Sequence, residues 1–382
     1  CGAVSLYPKA AEKTQEAALP EAEAASIQKT ADGFVMENGL VSARINGQGE
    51  VVSFRLKTGN GTADGLSREY AAGPMNRLRL FKDVPRKFDA WDIDSNYVCQ
   101  EIEGACEVAV EPVEEGLEAV LKVTGRISQS AYTQYIRLAA DSRRLEFETI
   151  IDWKELHRLL KTSFPVNVYA ENGINEIQFG YVERPAHRSR PYDQERFEVC
   201  NHHYSAFRDA NGGAAVLNDC KYGISMNENS LELTLLRASA APEMRADNKV
   251  HHFTYAFTAW EGSFMDSDVV RQGYELNVKP YLASGSGQDF SMLSIDQANI
   301  ILDTMKPAED GSGDIILRLY ESKKAATSAS VQLSRELLTA GSSVYACDML
   351  ENVTEELSVL DGALALSFHP FEIRTIRIAG PR

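Results

Sequence analysis

Long apolar runs are missing from this 382-residue sequence, which excludes a membrane-spanning helix of about 18 consecutive apolar residues. The first residues also lack a charged segment followed by an apolar core, the pattern of a secretory leader. Cys1, followed by an Ala- and Glu-rich stretch, leaves a processed lipoprotein terminus as an alternative, although a piece of a longer chain explains this start more simply. We expect a cytoplasmic protein, with lipoprotein or secreted forms as alternatives.

Cysteine is scarce. Six cysteines are scattered along the chain without a Cys-x-x-Cys pair or the spacing of a metal finger. So low a density does not fit a disulfide framework, and we expect reduced, mostly buried thiols. A bond between Cys99 and Cys106 across a turn is the alternative.

Basic residues are fewer than acidic ones: the sequence has 39 Lys and Arg and 55 Asp and Glu, which gives a formal net charge of -16. Proteins that bind nucleic acid present basic faces to the phosphates, so the composition argues against such a partner. A neutral ligand such as a sugar is compatible with this charge. The sequence is 44% apolar, enough to build large cores.

Most of the secondary-structure signal is that of β-strands, with apolar residues at every second position between turn residues. In residues 224–238, Leu231, Leu233 and Leu235 share one face while Glu232 and Thr234 take the other. The further strand-like segments of the first two thirds are 37–57, 117–127, 132–140, 143–153 and 212–220.

Helical periodicity is rare, and only residues 156–164 and 334–341 predict helices, each of about two turns. Composition changes twice: residues 1–30 resemble a lead-in or linker, and a Gly/Ser stretch covers 283–291. We therefore predict an all-β protein, with a large antiparallel β-sandwich over 31–285 and a smaller β-sandwich domain over 292–382.

Several motifs, in order and at similar spacing, resemble the C-terminal half of α-mannosidases of glycoside hydrolase family 38. The resemblance covers the chain from about residue 31 to its end. The motifs that carry it are FKDVPRKFDAWDID (81–94), EIQFGYVERPAHRS (176–189), RFEVCNHHY (196–204), VLNDCKYG (216–223), LTLLRASAAPEMRAD (233–247), KPAEDGSGDIILRLYES (306–322) and HPFEIRTIRI (369–378).

The resemblance implies a two-part enzyme that hydrolyses α-mannosides in glycan catabolism. In that family, an N-terminal β/α-barrel carries a zinc ion, a nucleophilic Asp and an acid/base Asp, and a large β-sandwich follows. Nothing in this sequence resembles the barrel, so we expect a C-terminal portion that supports the active site of a missing catalytic domain and is inactive alone. We expect no cofactor and no metal in this chain, with its own catalytic domain and α-mannosides as partners and a homo-oligomer as an open alternative.

Residues 85–94, PRKFDAWDID, concentrate acids that invite a catalytic interpretation. A retaining glycosidase needs two carboxyl groups roughly 5 Å apart, and Asp92 and Asp94 on a strand would share one face. Acids beside Arg86 and Lys87 are more often part of an ion-paired loop, so we expect no catalytic residue here. Instead, Trp91, Asp92 and Asp94 are candidates for a packed loop at the interface with the catalytic domain.

The loop after strand-like residues 176–182 is the better candidate for sugar contact. Pro185 disfavours helix at Arg184, and the polar run that follows offers several hydrogen-bond donors. Arg184, His187 and Arg237 are therefore predicted to wall a sugar pocket, and the alternative is a loop held by Arg–carboxylate pairs.

Two alternatives remain open from the sequence. The large sandwich resembles the supersandwich fold of galactose mutarotases and some polysaccharide lyases, for which His187, His203, Glu183 and Tyr204 would be the residues to test. A free-standing carbohydrate-binding module is the other alternative. A zinc site made by His187 with one member each of His202–His203 and His251–His252 is disfavoured, because neighbours on a strand point to opposite faces.

Overall fold

The computed structural model describes residues 2–3, 24–57, 65–102, 104–281 and 290–381. The described residues of Gln15–Glu176 and Val182–Lys279 form a large unit, and those of Cys1–Thr14, Ile177–Tyr181 and Pro280–Arg382 form a small one. Of the expected lead-in over 1–30, only 2–3 and 24–30 are described. Most of the Gly/Ser stretch lies outside the described residues.

Antiparallel strands dominate the described residues. The first twelve in chain order are β1 (Gly2–Ala3), β2 (Ser26–Thr30), β3 (Gly33–Glu37), β4 (Val41–Asn46), β5 (Val51–Leu56), β6 (Arg77–Lys82), β7 (Glu101–Ile102), β8 (Cys106–Glu114), β9 (Glu118–Ile127), β10 (Ser130–Ala139), β11 (Leu145–Asp152) and β12 (Arg158–Pro165). The next nine are β13 (Asn172–Ile177), β14 (Gly180–Pro185), β15 (Val199–Cys200), β16 (Tyr204–Asp209), β17 (Gly212–Asn218), β18 (Gly223–Asn227), β19 (Ser230–Arg237), β20 (Val250–Glu261) and β21 (Phe290–Ser291). The last nine are β22 (Leu293–Ile295), β23 (Ile300–Pro307), β24 (Ile315–Glu321), β25 (Thr327–Leu333), β26 (Ser343–Cys347), β27 (Val353–Leu357), β28 (Val359–Leu360), β29 (Ala363–Phe368) and β30 (Ile373–Ala379).

Helices are short. The α-helices are α1 (Pro191–Gln194) and α2 (Val269–Asn277), and 3₁₀ turns cover Ser95–Cys99 and Phe264–Asp266. Within the described ranges, no helix has the length and apolar character needed to cross a bilayer.

The large unit is built from three sheets. Their strand orders are β14-β13-β16-β17-β20-β11-β10-β9-β8, β15-β18-β19-β12-β6-β7 and β2-β3-β4-β5. One apolar core draws residues from all three. At its centre the rings of Phe164 and Phe257 stack at 5.6 Å, and Phe54 meets Phe257 edge-on at 5.0 Å. Because these rings come from β12, β20 and β5, they join the three sheets.

The small unit has its own core between two sheets, ordered β22-β25-β29-β28 and β23-β24-β30-β26-β27. The alternating pattern of β29, ALALSF, buries Leu364, Leu366 and Phe368 and leaves the residues between them more exposed. The predicted all-β class, with antiparallel sandwiches, is confirmed.

Both predicted helices are wrong. Residues 156–164 contribute the central strand β12, which pairs with β6 and β19 and is buried along most of its length. Covered on both faces, such a strand shows a nearly continuous apolar run, and its alternation is lost. Residues 334–341 form turns, in which the amide of Leu338 donates to the carbonyl of Ser334 at 2.9 Å.

The expectation of mostly buried thiols is also wrong for the described cysteines. Cys99, Cys106, Cys200 and Cys220 are exposed, Cys347 is half-buried, and all five are unpaired. Cys1 lies outside the described residues. Exposure follows from position, because Cys99, Cys106 and Cys200 lie at the ends of elements and Cys220 lies in the turn after β17.

Candidate functional site

The side chain of Arg237, at the end of β19, holds residues 83–94, which we call the 83–94 loop. Its Nε donates to the Asp83 carboxylate at 2.7 Å. Its Nη2 donates to the backbone carbonyls of Asp92 at 2.6 Å and Asp89 at 3.1 Å, and its Nη1 to that of Ala90 at 3.4 Å. A planar guanidinium with five donors suits this fan of acceptors. Arg237 therefore acts on the backbone of the loop.

The carboxylate of Asp89 ties the same loop to two other segments. Its Oδ2 accepts from the amides of Ala240 at 2.7 Å and Ala241 at 3.0 Å, and it lies 3.2 Å from Nε2 of His157. Burial acts to raise the pKa of Asp89, but the hydrogen bonds from Ala240, His157 and Ala241 outweigh it and hold this pKa below its ordinary value.

Two aromatic side chains project from the 83–94 loop into solvent. Phe88 is 68% exposed and Trp91 is 74% exposed, so the packing expected for Trp91 is absent. Phe88 also has a φ of +56°, an unusual conformation for a bulky residue that persists only where the surroundings impose it. The loop is thus a fixed backbone that presents apolar side chains.

The two remaining predicted acids of this loop bond to backbone amides. Asp94 Oδ2 accepts from the amide of Arg86 at 3.0 Å, and Asp92 Oδ1 from the amide of Ile93 at 3.0 Å. Such contacts stabilise loop geometry.

Replacing Asp89 by asparagine should destabilise the large unit by about 1 kcal/mol at pH 7, because the charged acceptor of three hydrogen bonds is lost. A carboxyl group whose pKa is lowered on folding contributes stability above its unfolded pKa of about 3.9, and that contribution disappears as the pH falls through the folded value. The difference in unfolding free energy between the two proteins should therefore be complete above about pH 5 and shrink below about pH 4. Urea unfolding at several pH values measures it. Asp92→Asn is the matched control. If the wild type remained more stable than Asp89→Asn by the same free energy in acid, the Asp89 carboxylate would not be the source of the difference.

A second region, the Glu228 groove, consists of two cavities that share Glu228 and Asn229, the turn between β18 and β19. Their volumes are about 760 Å³ and about 350 Å³. The larger is lined by Arg68, Tyr169, Glu171, His187 and Asp209, among others. The smaller is lined by Arg79, Tyr97, Arg188, Ser225, Asn227 and Glu232, among others.

The backbone of Ala186 fixes the ridge between the two cavities. Its amide donates to the carbonyl of Glu171 at 2.8 Å, and its carbonyl accepts from the amide of Glu228 at 2.6 Å. The next two side chains then diverge, since His187 lines the larger cavity and Arg188 the smaller one. Glu228 has a φ of +55°, so its turn is also held in an uncommon conformation.

In the larger cavity, Arg68 and Asp209 make a two-pronged pair, with Nη1–Oδ2 at 2.7 Å and Nη2–Oδ1 at 3.2 Å. Burial acts to raise the pKa of Asp209, but Arg68 and backbone donors, including the amide of Tyr169, keep this pKa below its ordinary value. The ring of Tyr169 is 85% exposed beside this pair. A fixed planar pair and an open aromatic ring therefore lie on the same wall.

In the smaller cavity, Arg79 bridges two carboxylates, Glu101 at 2.6 Å and Glu232 at 2.5 Å. Because Arg79 lies opposite Lys161 in the β6–β12 pairing, and Lys161 opposite Thr234 in the β12–β19 pairing, these polar side chains share one face of the sheet. Neighbouring strands thus place a row of polar groups beside the cavity.

Lys161 is completely buried in this row and ion-paired to Glu198. Its Nζ also donates to Thr234 Oγ1 at 3.0 Å and lies 5.5 Å from the centroid of the Tyr97 ring. The Tyr97 hydroxyl donates to Glu198 at 2.8 Å, and burial raises the pKa of Tyr97 well above its ordinary range. The cluster satisfies a buried charge with several partners.

The other predicted residues lie in different surroundings. Arg184 donates to Asn175 Oδ1 at 2.7 Å and to the carbonyl of Cys200 at 3.2 Å, and it lines neither cavity. Tyr204 is buried at 1% exposure. Glu183 pairs with Arg208 at 3.3 Å, and His203 Nδ1 lies 3.1 Å from Glu176.

No group of three or more His, Cys, Asp or Glu side chains suited to a metal ion occurs in the described residues. His187, which was considered for a zinc site, has its Nδ1 3.7 Å from the carboxylate of Asp193. The described residues therefore do not fit the zinc ion that the resemblance implies for the enzyme.

The sequence interpretation missed most groove residues, since Arg68, Tyr169, Glu228 and Asp209 come from separate segments. One signal was present: polar residues alternate in RLRLFK of β6 and in SLELTLLR of β19. Two strands with polar residues on the same face indicate a polar sheet surface, although neither predicts which loops will cover it.

Comparisons with known proteins decide the family. The family model described as "Glycosyl hydrolases family 38 C-terminal domain" matches residues 36–245, and that of the "C-terminal beta sandwich domain" of the same family matches 299–376. The chain belongs to glycosyl hydrolase family 38, as its C-terminal region. Both cavities of the groove are lined by residues within the first match.

Relatives of this family 38 chain include Alpha-mannosidase 2C1 of Homo sapiens, 31% identical over 369 residues. Alpha-mannosidase G of Dictyostelium discoideum is 32% identical over 365 residues. These alignments cover 94% and 90% of this chain but only 35% and 32% of the relatives. The chain thus spans about a third of the length of the proteins that it matches.

A solved structure of similar fold is an alpha-mannosidase from Enterococcus faecalis V583. It matches with a TM-score of 0.70 at 15% identity, over 90% of this chain and 42% of that chain. This likeness supports the family 38 fold, and the assignment itself rests on the sequence matches.

Proposed function

We propose that this chain is the β-sandwich portion of a retaining α-mannosidase and that it acts with a zinc-dependent catalytic domain. Membership of the family and relatives named as alpha-mannosidases support the proposal. In a retaining glycosidase, one carboxyl group attacks the sugar and another protonates the leaving oxygen. We assign both carboxyl groups, and zinc, to the catalytic domain, so this chain alone should not hydrolyse mannosides.

The observation that carries this role is the 83–94 loop with its exposed Phe88 and Trp91. Burying either side chain at an interface would contribute about 1.5–3 kcal/mol. Because Arg237 and Asp89 already fix the backbone, little conformational entropy would be lost on docking. A rigid loop with an exposed tryptophan has the properties of an interface anchor.

The neighbouring segments add to the same surface. Asp89 ties the loop to His157 and to Ala240 and Ala241, and the adjacent Leu156 and Met244 are 53% and 74% exposed. Exposed apolar side chains in segments that are bonded to one another favour an interaction surface over singly scattered residues. The occupant that we propose is the catalytic domain.

The first test measures activity of the isolated chain on an aryl α-mannoside, with and without added zinc. We expect no turnover above the uncatalysed background, whereas hydrolysis by this chain would overturn the division of roles. The coding region upstream, read in frame, should encode a barrel with a His-x-Asp pair, and the absence of such a segment would also count against the proposal.

The second test measures docking to that catalytic portion by co-purification and by restored mannosidase activity. Phe88→Ala combined with Trp91→Ala should weaken association at least about tenfold, because two anchor side chains are removed. Val113→Ala with Leu117→Ala is the matched control, since these apolar residues are 56% and 73% exposed outside the loop. Equal association of both double variants would contradict the docking role.

A further inference from the structure

The Glu228 groove is a preformed feature that the proposed function leaves unexplained. Its central turn is held from both sides, since the amide of Val166 donates to the carbonyl of Asn229 and the amide of Glu228 donates to the carbonyl of Ala186. The Asn229 side chain adds a third bond, from Nδ2 to the carbonyl of Val166 at 3.0 Å. A ligand would therefore meet walls that are already ordered, which reduces the entropy cost of binding.

The charges of the groove favour a neutral ligand. Its lining contains three arginines and four carboxylates, and two of the arginines, Arg68 and Arg79, are already paired with carboxylates. An anionic ligand would be repelled by the excess of carboxylates. The described residues also hold no metal-binding group, so no metal ion is available there to bridge an anion to these carboxylates. Paired carboxylates and guanidinium groups instead offer both acceptors and donors at fixed positions, the combination that hydroxyl groups satisfy.

The aromatic and amide groups of the groove favour the same class of ligand, a neutral molecule with hydroxyl groups. Tyr169 presents an open ring whose backbone is fixed through Asp209, so the ring can cover the apolar face of a pyranose. Asn227 and Ser225, on the other side of the turn, add neutral donors and acceptors. The larger cavity therefore combines planar polar groups with the exposed ring of Tyr169, whereas the smaller cavity offers mainly polar groups, because Tyr97 is largely buried.

We propose that the Glu228 groove binds a neutral oligosaccharide, with one sugar ring in each cavity and the chain of sugars crossing the Glu228–Asn229 turn. Arg188 is the cation that remains for the ligand, since it makes no hydrogen bond or ion pair with the described residues. This inference goes beyond the proposed function, because it concerns sugar binding by this chain itself and requires no catalytic domain.

The test is calorimetric titration of the isolated chain with linear α-mannotriose, cellotriose and methyl α-mannoside. We expect at least one trisaccharide to bind with a dissociation constant of about 1 mM or tighter, and about tenfold tighter than the monosaccharide, because a single ring fills only one cavity. Flat heats with both trisaccharides would overturn the inference, as would equal affinity for the monosaccharide. Neither result bears on docking or turnover, so failure here leaves the proposed function in place.

Variants locate the site. Tyr169→Ala and Arg188→Ala should each weaken trisaccharide binding at least about fivefold, because each removes one wall contact. Tyr281→Ala and Arg44→Ala are the matched controls: Tyr281 is fully exposed, Arg44 is exposed, and neither lines the groove. Thermal unfolding checks that the variants remain folded. Unchanged binding by both groove variants would place the sugar elsewhere and contradict the proposal.

Discussion

Replacing Arg237 by alanine is expected to destabilise the large unit by about 3–5 kcal/mol, because it leaves a buried carboxylate without its partner. The side chain of Asp83 is only 3% exposed, and Arg237 Nε is 2.7 Å from it. Burial raises the pKa of Asp83 even with this partner present, so its charged form depends strongly on the guanidinium. The same substitution removes the donors that hold the carbonyls of Asp89 and Asp92.

Urea unfolding followed by tryptophan fluorescence measures this loss. The three tryptophans, Trp91, Trp153 and Trp260, all lie in the large unit, so their emission reports on that unit. Arg44→Ala removes an exposed arginine and should stay within about 0.5 kcal/mol of the wild type. A loss below about 1 kcal/mol for Arg237→Ala would mean that Asp83 finds another partner or water.

Lys161→Met should produce a loss of similar size, about 3–5 kcal/mol, because it removes the cation from a cluster that has no access to water on the lysine side. Glu198, whose side chain is 15% exposed, would lose its ion-pair partner. The hydroxyls of Tyr97 and Thr234 would remain as donors to it, which stabilise a carboxylate less than an ammonium group does.

A double-mutant cycle separates loss of the pair from loss of packing. Lys161→Met together with Glu198→Gln should be less destabilising than the sum of the two single changes. Glu198→Gln removes the carboxylate charge that Lys161→Met leaves without a partner. The same fluorescence-detected urea unfolding measures all three variants. Additive losses would show that Lys161 contributes mainly through the packing of its stem.

The strands were predictable because their environment is simple. β10, SAYTQYIRLA, and β11, LEFETIID, each have one face in the core and one outside it, so burial alternates along them. β12 has neighbours on both sides and cover on both faces, and its lysine is buried rather than solvated. The spacing of apolar residues does not show that a strand is covered on both faces, which is why a helix was predicted for residues 156–164.

The candidate site was less accessible to sequence reasoning, for a physical reason. Position along the chain shows that His187 and Arg188 are in a polar loop, but the two side chains enter different cavities only because Ala186 is bonded to Glu171 and Glu228. Trp91 was placed in a loop, yet the backbone beside it is held by Arg237, which is far away in sequence. Long-range backbone contacts, which no local pattern specifies, create both features.

The distance along the chain between the partners of the 83–94 loop has a consequence for protein synthesis. Asp89 and Ala240 are 151 positions apart, and Asp83 and Arg237 are 154 apart. A ribosome releases the loop long before its anchors, and contacts between such distant residues require closure of a long loop, which slows their formation. Phe88 and Trp91 therefore take up their final arrangement only after residues 237–241 have emerged and β19 has joined its sheet. For the docking proposed above, a catalytic domain translated earlier would have to wait for the later half of this sandwich.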